Sequence, residues 1–546
     1  MRKQIPWLAP CAALALSACA SWQPTPAKPP LDTSKACAQW RWIGIRSRSA
    51  AECPAVAGWS VKPLFDSSRQ TISDEQPQAL ERPASGLLST AAVIDELERF
   101  CVYEIADRSR DLGDLPFPPA ASRELVRFDQ DCAALSIAAD PPLPATVWRP
   151  ASALFLAEVG KPEAPLEIEN QRGVRLAFLD TQPTGVGVPA VSGYSQHGFT
   201  LTHIARHLVC SPATSTRCAA QITTRLALPL TSFDARRRSR TGIDRARGGH
   251  VGMQSDLAEA ISSEVEAWLG DRSRAGAPQH LVLNISLAWD PRLFGGLGEA
   301  EVAELRAGTQ AIYRALQYAA SLDVLVLAAA GNQKDCPGVP ADGPMLPAGW
   351  ERNAPPESCG AARAPLVYAV GGLDSKGNPL WNARNGGMPP RGTYAEHAVV
   401  PTADDDRPTA MYTGSSVATA VASSIAAVVW DTLPALSAPE VMELLDTGTS
   451  RNVLPRRADF WFGAGGARAA APAVHRLSLC DALEQACSRP GATSCPLRSP
   501  CGAWPPEPVV LAGIPPDPLA GGTCQPWLYP QPEDPPCPTC IKEPPR

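Results

Sequence analysis

Residues 412–430 read YTGSSVATAVASSIAAVVW, a glycine–serine turn that runs without a break into small and apolar residues. A helix that is small or apolar on every side is buried all round. Its first turn carries free N–H groups and the positive end of the helix dipole, which together stabilise negative charge. Such a buried helix end suits a serine nucleophile whose reaction generates an oxyanion, and Ser416 is the candidate. Helices of small residues are also common packing elements, so partner residues elsewhere in the chain have to decide.

The preceding part of the chain alternates segments typical of strands and helices. This alternation predicts an α/β fold with a doubly wound, mostly parallel sheet and helices on both faces. Ligands of such sheets bind at the carboxyl ends of the strands. The predicted strands are 173–180, 221–230, 280–287, 324–329 and 366–370, and the predicted helices are 197–209, 255–269 and about 300–320.

Two further side chains of the required type occupy the ends of these elements. Asp180 ends the first predicted strand and His197 begins the next helix. An acyl-transfer serine needs an imidazole to take its proton and a carboxylate to orient that imidazole. Each residue alone is weak evidence, since such ends are common in α/β proteins. The order Asp180, His197, Ser416 is that of one known arrangement of this triad.

The motifs around these residues resemble those of the subtilisin-like serine proteases. Residues 414–420 resemble the nucleophile motif Gly-Thr-Ser-x-Ala-Thr-Pro, residues 179–181 the aspartate motif, and His197-Gly198 with Ile204-Ala205 the histidine motif. The resemblance spans about 172–474. It implies a serine endopeptidase that works through an acyl-enzyme, in which Ser416 attacks, His197 is the general base and Asp180 orients His197.

A fourth motif, residues 327–332 (LAAAGN), resembles the segment that supplies the oxyanion-hole asparagine. The resemblance implies that Asn332 donates its amide to the oxyanion together with the main-chain N–H of Ser416. A turn-forming asparagine after a strand is the ordinary alternative.

Residues 283–288 (LNISLA) resemble the strand whose backbone pairs with an extended peptide, which makes a polypeptide the implied substrate. Ala288 stands where that family usually has glycine, so its methyl group should restrict the first specificity pocket to small or slender side chains. The residues expected to bind substrate are Ser286, Leu287, Ala288, Ala329 and Gly331.

The sequence also departs from the family pattern. Asp180 and His197 are 17 residues apart, a short interval, while Phe199 replaces a threonine and Ala420 a proline. These departures leave open a second class of function, in which a catalytically degenerate subtilase-fold lipoprotein binds polypeptides or acts as an envelope scaffold.

No cofactor and no metal are expected. His203 and His207 lie one helical turn apart, but the glutamate of a zinc protease does not accompany them. Residues 404–406, three aspartates, fit either a calcium site or a solvated acidic loop.

The N-terminus has the features of an export signal. Arg2 and Lys3 precede an apolar stretch at 5–16 that is too short to span a bilayer, and residues 16–19 (LSAC) match a bacterial lipobox. Lipidation of Cys19 would anchor the chain at the cell envelope. The absence of an acidic residue directly after Cys19 favours the outer membrane, and an ordinary cleaved signal or later release from the membrane remain alternatives.

Charge and cysteine content restrict the function further. The net charge of −6 gives no general attraction for nucleic acid, and the basic run at 236–240 fits a solvated loop. An exported chain with 17 cysteines is expected to form disulfides. Neighbouring cysteines suggest the pairs Cys37–Cys53, Cys101–Cys132, Cys210–Cys218 and Cys336–Cys359, with a further cluster after 479. The sequence sets no oligomeric state.

Composition divides the chain into five parts. The predicted parts are a signal peptide and lipobox at 1–19, a proline-rich tether at 20–35, a small α+β module at 36–165 that is accessory or propeptide-like, a catalytic domain at 166–478, and a tail rich in cysteine and proline at 479–546. The tail has few apolar runs and is not expected to form a core of its own.

Overall fold

The structure is a computed structural model. It describes residues 37–65, 90–105, 124–135, 145–162, 166–168, 173–182, 184–186, 197–211, 217–228, 251–289, 305–332, 344–351, 365–377, 380, 391–396, 398, 412–448, 452–453, 474–493 and 495–497. The Cys19 lipobox, the basic run at 236–240, Cys336, Cys359 and the acidic run at 404–406 lie outside these residues.

The main sheet follows the order β13-β14-β12-β11-β10-β9-β5-β7-β6 within the described part of the chain. Neighbours from β14 to β7 are parallel, while β13 and β6 add antiparallel strands at the edges. This confirms the predicted α/β class with a mostly parallel sheet. The strands are β5 (Val174–Asp180), β6 (Gly185–Val186), β7 (Ala220–Leu226), β9 (His280–Ile285), β10 (Leu325–Ala329), β11 (Tyr368–Leu373), β12 (Arg391–Tyr394), β13 (Asn452–Val453) and β14 (Val474–Arg476).

Helices cover the sheet, and their ends have local causes. Strand β7 ends at Leu226, before the predicted residue 230. The N–H groups of the next two residues, Ala227 and Leu228, both donate to the main-chain oxygen of Asp180. The helix expected from about 300 begins at Ala307, and the Asp129 carboxylate accepts a hydrogen bond from the main-chain N–H of this first residue. The helices of this region are α3 (His197–Val209), α4 (Gln254–Arg272), α5 (Ala307–Ser321), α6 (Ser415–Thr432) and α7 (Ala438–Gly448), with a 3-10 turn at Ala348–Glu351.

Helix α6 is the quoted glycine–serine segment, and it lies in the middle of the core. All of its residues except Asp431 are buried. It packs against α3 and against strands β5, β9, β10, β11 and β12. Side chains larger than valine are rare along it, which lets the helix lie close to the sheet.

The N-terminal region forms a separate antiparallel sheet in the order β2-β3-β1-β4-β8. Its strands are β1 (Cys37–Arg46), β2 (Trp59–Pro63), β3 (Phe100–Ile105) and β4 (Leu125–Leu135), and helix α1 (Thr90–Leu97) accompanies them. The fifth strand, β8 (Val251–Met253), belongs to the segment that leads directly into α4. The module is therefore joined to the main unit through a shared sheet.

Two carboxylates of β4 cap helices of the main unit. Asp131 accepts hydrogen bonds from the main-chain N–H of Ser255 at 3.2 Å and from its hydroxyl, in the first turn of α4. Asp129 accepts from the N–H of Ala307 at 2.9 Å, the first residue of α5. Unpaired N–H groups and the dipole favour negative charge at helix N-termini. The carboxylates of the module thus bind N–H groups that have no partner within the two helices.

Helix α2 (Ala145–Glu158) falls within the predicted module but contacts the main unit. Phe155 and Val159 belong to the same core cluster as α6. The buried Arg476 of β14 binds Glu158 at 2.6 Å. We therefore propose that the boundary between module and main unit lies before α2 rather than near residue 165.

The first residues of the predicted tail belong to the main core. Residues 479–488 form helix α8 (Leu479–Ser488), whose buried face joins the main core. Ser478 caps this helix by accepting from the N–H of Asp481 at 3.4 Å. An amphipathic pattern, LCDALEQA, accounts for the helix, because Leu479, Ala482 and Leu483 share one face.

The disulfides in which the structure describes both side chains are Cys53–Cys101, Cys210–Cys218 and Cys487–Cys495. The expected Cys210–Cys218 pair is confirmed. The pairs Cys37–Cys53 and Cys101–Cys132 are wrong, because the loop between β1 and β2 places Cys53 beside Cys101 of β3. Proximity in sequence fails here since antiparallel strands join cysteines that are far apart along the chain. No helix of the described ranges is long and apolar enough to cross a bilayer.

Candidate active site

Asp180 and His197 meet at the carboxyl end of β5. Asp180 is 1% exposed and His197 is fully buried. The Nδ1 atom of His197 lies 2.9 Å from Oδ1 and 3.0 Å from Oδ2 of Asp180. A carboxylate accepts hydrogen bonds, so Nδ1 donates and Nε2 is the ring nitrogen left for chemistry.

Small neighbours position this pair. The N–H of Thr181 donates to Asp180 Oδ1 at 2.7 Å, and the N–H of Gly198 donates to the Thr181 hydroxyl at 3.0 Å. A β-carbon at position 198 would lie 3.1 Å from the Asp180 side chain, so glycine lets α3 begin against the strand end. The ring of Tyr412 meets the imidazole edge-on, with centroids 5.7 Å apart. The imidazole is thus held on several sides.

Ser416 lies in the first turn of α6 and is 3% exposed. Its hydroxyl donates to the main-chain oxygen of Ser286 at 3.2 Å. The hydroxyl of Ser286 in turn reaches the main-chain oxygen of Ser416 at 3.1 Å and Asn284 Oδ1 at 2.8 Å. The Asn284 amide donates onward to Ser423 at 3.1 Å. This network joins the end of β9 to the beginning of α6.

Asn332 follows β10 and faces the same helix end. Its Oδ1 accepts from the N–H of Ser415 and from the Ser415 hydroxyl, both at 2.8 Å. The Ser415 hydroxyl also accepts from the N–H of Gly331 at 3.1 Å. Because Oδ1 accepts from Ser415, Nδ2 is the donor end of the Asn332 amide.

Two glycines are required by this geometry. Gly414 has φ +150°, and a β-carbon there would lie 2.7 Å from Asn332 Nδ2. Gly331 has φ +100°, and a β-carbon there would lie 2.6 Å from Met345 Sδ. Both positions combine a backbone conformation that side chains rarely adopt with a close contact. Asn332 can approach α6 only because both residues are glycine.

The residues expected to bind substrate gather at the same edge of the sheet. Ser286, Leu287 and Ala288 follow β9, while Ala329 ends β10 and Gly331 follows it. Strands β10, β9 and β5 are neighbours, so Asn332, Ser286 and Asp180 lie at the ends of three adjacent parallel strands. This is the edge at which ligands of parallel sheets bind.

The histidines of α3 have aromatic partners. The ring of His203 stacks on Phe199, with centroids 5.6 Å apart, and meets the ring of His207 at 5.2 Å. Phe199, the residue that replaces a threonine of the family motif, thus packs along its own helix. Among the described residues no group of three or more histidine, cysteine and acidic side chains is arranged to hold a metal ion.

Comparison with protein families gives a match over part of the chain. Residues 273–465 match Peptidase S8, the subtilase family. The matched range contains Asn332 and Ser416, whereas Asp180 and His197 precede it. The described part of the chain has a seven-stranded parallel core flanked by helices. The match relates it to serine peptidases. A search of the curated proteins finds no match.

Many solved structures also match this chain. The prenylagaramide maturation protease PagA is 18% identical, with 61% of this chain and 98% of that chain covered and a TM-score of 0.34. A mutant of the protease domain of PatA is 22% identical, covering 60% and 99%, with a TM-score of 0.36. Sphericase is 15% identical, covering 59% and 96%, with a TM-score of 0.37.

Several residues around the site were not singled out from the sequence. Ser415, Asn284 and Ser423 carry buried side chains that hydrogen-bond across elements. The signal for them was available, because a polar residue inside an otherwise apolar strand or helix requires a partner. The identity of the partner depends on tertiary structure, so the pattern alone does not reveal it.

Proposed function

We propose that this chain is a serine endopeptidase that hydrolyses peptide bonds through an acyl-enzyme. The observation that carries the proposal is the buried pair of Asp180 and His197 at the edge of the sheet where Ser416 lies in the first turn of the buried helix α6. This is the combination of orienting carboxylate, imidazole and serine that acyl transfer requires.

In the proposed reaction the Ser416 hydroxyl leaves the oxygen of Ser286, donates to His197 Nε2 and attacks the substrate carbonyl. The imidazole takes the proton, and Asp180 stabilises the resulting positive charge through Nδ1. His197 then returns the proton to the leaving amine, and water repeats the sequence to release the acyl group. Hydrogen bonds in unliganded sites are often not yet in the reactive arrangement, which accounts for the Ser416–Ser286 contact.

The oxyanion is proposed to bind between Asn332 Nδ2 and the N–H of Ser416. The hydroxyl of Ser415 supports this role because it holds the other end of the Asn332 amide. Loss of one such donor typically costs about 10²–10³ in kcat, so we expect an Asn332→Ala variant to lose activity on that scale.

Covalent labelling tests the proposal directly. A fluorophosphonate probe reacts with an activated serine, so the purified protein should be labelled, while Ser416→Ala and His197→Ala variants should not. Ser424→Ala is the matched control, because Ser424 lies in the same helix and donates only to the oxygen of Ala420. Absence of labelling in the folded, oxidised parent protein would overturn the proposal.

The alternative is a degenerate subtilase-fold lipoprotein that binds polypeptides or acts as an envelope scaffold. The bond from the Ser416 hydroxyl to Ser286 is the observation that favours it, because in this arrangement the serine is engaged with the main chain. Peptide binding without labelling would support this alternative.

We also propose that Cys19 is lipidated and anchors the chain at the cell envelope, with the outer membrane as the expected site. The support is the sequence of residues 16–19 alone. A Cys19→Ser variant should move from the membrane fraction to the soluble fraction on immunoblots. Unchanged membrane association would contradict the anchor.

A further inference from the structure

The ends of β9 and β10 delimit the space beside the reacting carbonyl. Under the proposed function, on which this inference rests, that carbonyl lies between Ser416 and Asn332. Ser286 contacts Ser416, and Gly331 precedes Asn332. Residues 286–288, which follow β9, and residues 329–331, which follow β10, therefore flank the place of the substrate side chain next to that carbonyl. The width of the gap between these two segments decides which side chain fits.

A third segment closes the gap by pairing with both sides. The N–H of Leu346 donates to the oxygen of Trp289 at 3.1 Å, and the N–H of Trp289 donates to the oxygen of Leu346 at 3.0 Å. One residue earlier, the N–H of Met345 donates to the oxygen of Ala330 at 2.8 Å. Residues 345–346 thus form a bridge between the extensions of β9 and β10.

The side chain of Met345 fills the space next to Asn332. A β-carbon on Gly331 would lie 2.6 Å from Met345 Sδ and 2.7 Å from its Cγ, so the thioether covers the glycine that precedes Asn332. Met345 itself is only 5% exposed. The Met345 side chain is therefore packed against its neighbours.

Aromatic side chains pack behind the bridge. Trp289 and Leu346 are fully buried. The ring of Trp350 meets Trp289 edge-on at 5.9 Å and Tyr313 at 5.2 Å. The opposite wall carries the methyl group of Ala288, which is 8% exposed.

We propose that Met345 determines specificity by closing this gap, so that the site takes polypeptides with glycine or alanine immediately before the bond to be cleaved. Ala288 narrows the same gap from the β9 side. Methionine is flexible, but it can leave this place only by displacing the packed bridge. A larger substrate side chain would have to move Met345 off Gly331.

Peptide binding tests this inference without relying on catalysis. The purified chain carrying Ser416→Ala would be titrated with two product-like peptides that differ only in a C-terminal alanine or phenylalanine. One extra or missing methylene group in a ligand changes its discrimination by a hydrophobic pocket by about tenfold to 200-fold. We expect the alanine peptide to bind at least about tenfold more tightly, and a further Met345→Ala change to improve binding of the phenylalanine peptide by about tenfold.

Three further variants complete the test. Ala288→Gly widens the same gap from the other wall and should shift preference in the same direction, which covers the case that Met345→Ala does not fold. Met345→Leu retains the bulk and should retain the preference. Met442→Ala removes an equally buried methionine from α7 and should leave the preference unchanged.

Equal binding of both peptides, no binding of either, or no shift in Met345→Ala and Ala288→Gly would overturn the inference. Selective binding in a protein that no fluorophosphonate labels would instead overturn only the proposed peptidase activity. The two failures are therefore distinguishable.

Discussion

Ser286 and Ser416 exchange hydrogen bonds in both directions: each hydroxyl donates to the main-chain oxygen of the other residue. The two residues come from different elements, the end of β9 and the first turn of α6. The contact therefore fixes the position of the proposed nucleophile relative to the sheet edge along which substrate is proposed to bind.

Removing the Ser286 hydroxyl should lower the stability of the folded protein. In a Ser286→Ala variant, the oxygen of Ser416 and the buried Oδ1 of Asn284 lose the one hydroxyl that lies within donating distance of both. We expect a cost of about 1–3 kcal/mol in the free energy of unfolding, because buried acceptors are left without that bond. Denaturant unfolding measures the change, and Ser424→Ala, which breaks only a bond within α6, is the control. Equal losses in both variants would contradict a special role of Ser286.

Ser415 is expected to act through Asn332. A Ser415→Ala variant loses the hydroxyl that holds Asn332 Oδ1, so we expect kcat to fall by about tenfold or more with a smaller change in KM. A Ser415→Thr variant keeps the hydroxyl and should keep most of the activity. If both variants change KM and leave kcat intact, Ser415 does not position an oxyanion donor.

A methyl group at Gly414 should displace Asn332. The added β-carbon would lie 2.7 Å from Asn332 Nδ2, in a residue with φ +150°. We expect Gly414→Ala to lose about 10²-fold in kcat, the cost of a missing oxyanion donor. Gly276→Ala is the matched control, because its φ is +75° but no atom lies within 4 Å of the added carbon. Full activity in Gly414→Ala would refute the proposed role of Asn332.

His280 should make the protein sensitive to acid. Burial, partly offset by the bond from its Nε2 to the oxygen of Pro434, lowers its pKa from 6.5 to about 4. Because the folded state binds the proton less well than the unfolded state, the stability it contributes is present above pH 6.5. It is lost as the pH falls toward 4.

The expected loss in the free energy of unfolding is at most roughly 3 kcal/mol, and solvent screening of the partly buried ring reduces it below that value. Denaturant unfolding at pH 7 and pH 4.5 measures it. A His280→Gln variant should lose less stability between these pH values than the parent protein does. The ring stacks on Trp430 with centroids 4.4 Å apart, so the variant should also be less stable at pH 7. An unchanged pH dependence would show that another group dominates.

Asp131 should contribute to docking of the N-terminal module. An Asp131→Ala variant removes the acceptor of two bonds from Ser255 at the beginning of α4. Loss of a helix cap costs about 0.5–2 kcal/mol, so the unfolding transition should shift accordingly. Asp95→Ala, a change of an exposed acid on α1, should have no such effect. Equal behaviour of the two variants would contradict the docking role.

Much of the fold could be predicted from sequence because its signals are local. The strand before Asp180 is apolar from Leu176 to Leu179, with Val174 and Phe178 as typical strand residues, so its place in a buried parallel sheet follows. Helix α3 begins and ends at the predicted residues, and α6 was recognisable from its small residues.

The remaining features depend on contacts between distant residues. Nothing near Cys53 indicates Cys101, and nothing near Met345 indicates Gly331, because each pair is brought together by the order of strands. The pairing of β4 with β8 likewise joins Leu135 to Val251, although β5, β6 and β7 of the main sheet lie between them along the chain. A polar residue in an apolar strand, such as Asn284, indicates that a hydrogen-bond partner exists, but the sequence does not identify that partner.

The burial of α6 has a consequence for local unfolding. Its amides lie between the parallel sheet and the helices α3 and α8, so they can exchange with solvent hydrogen only when that whole assembly opens. Ser416 therefore stands at the edge of the region with the slowest expected amide exchange. A rigid cooperative unit of this kind keeps the first turn of α6 in place while peptide segments enter and leave beside it.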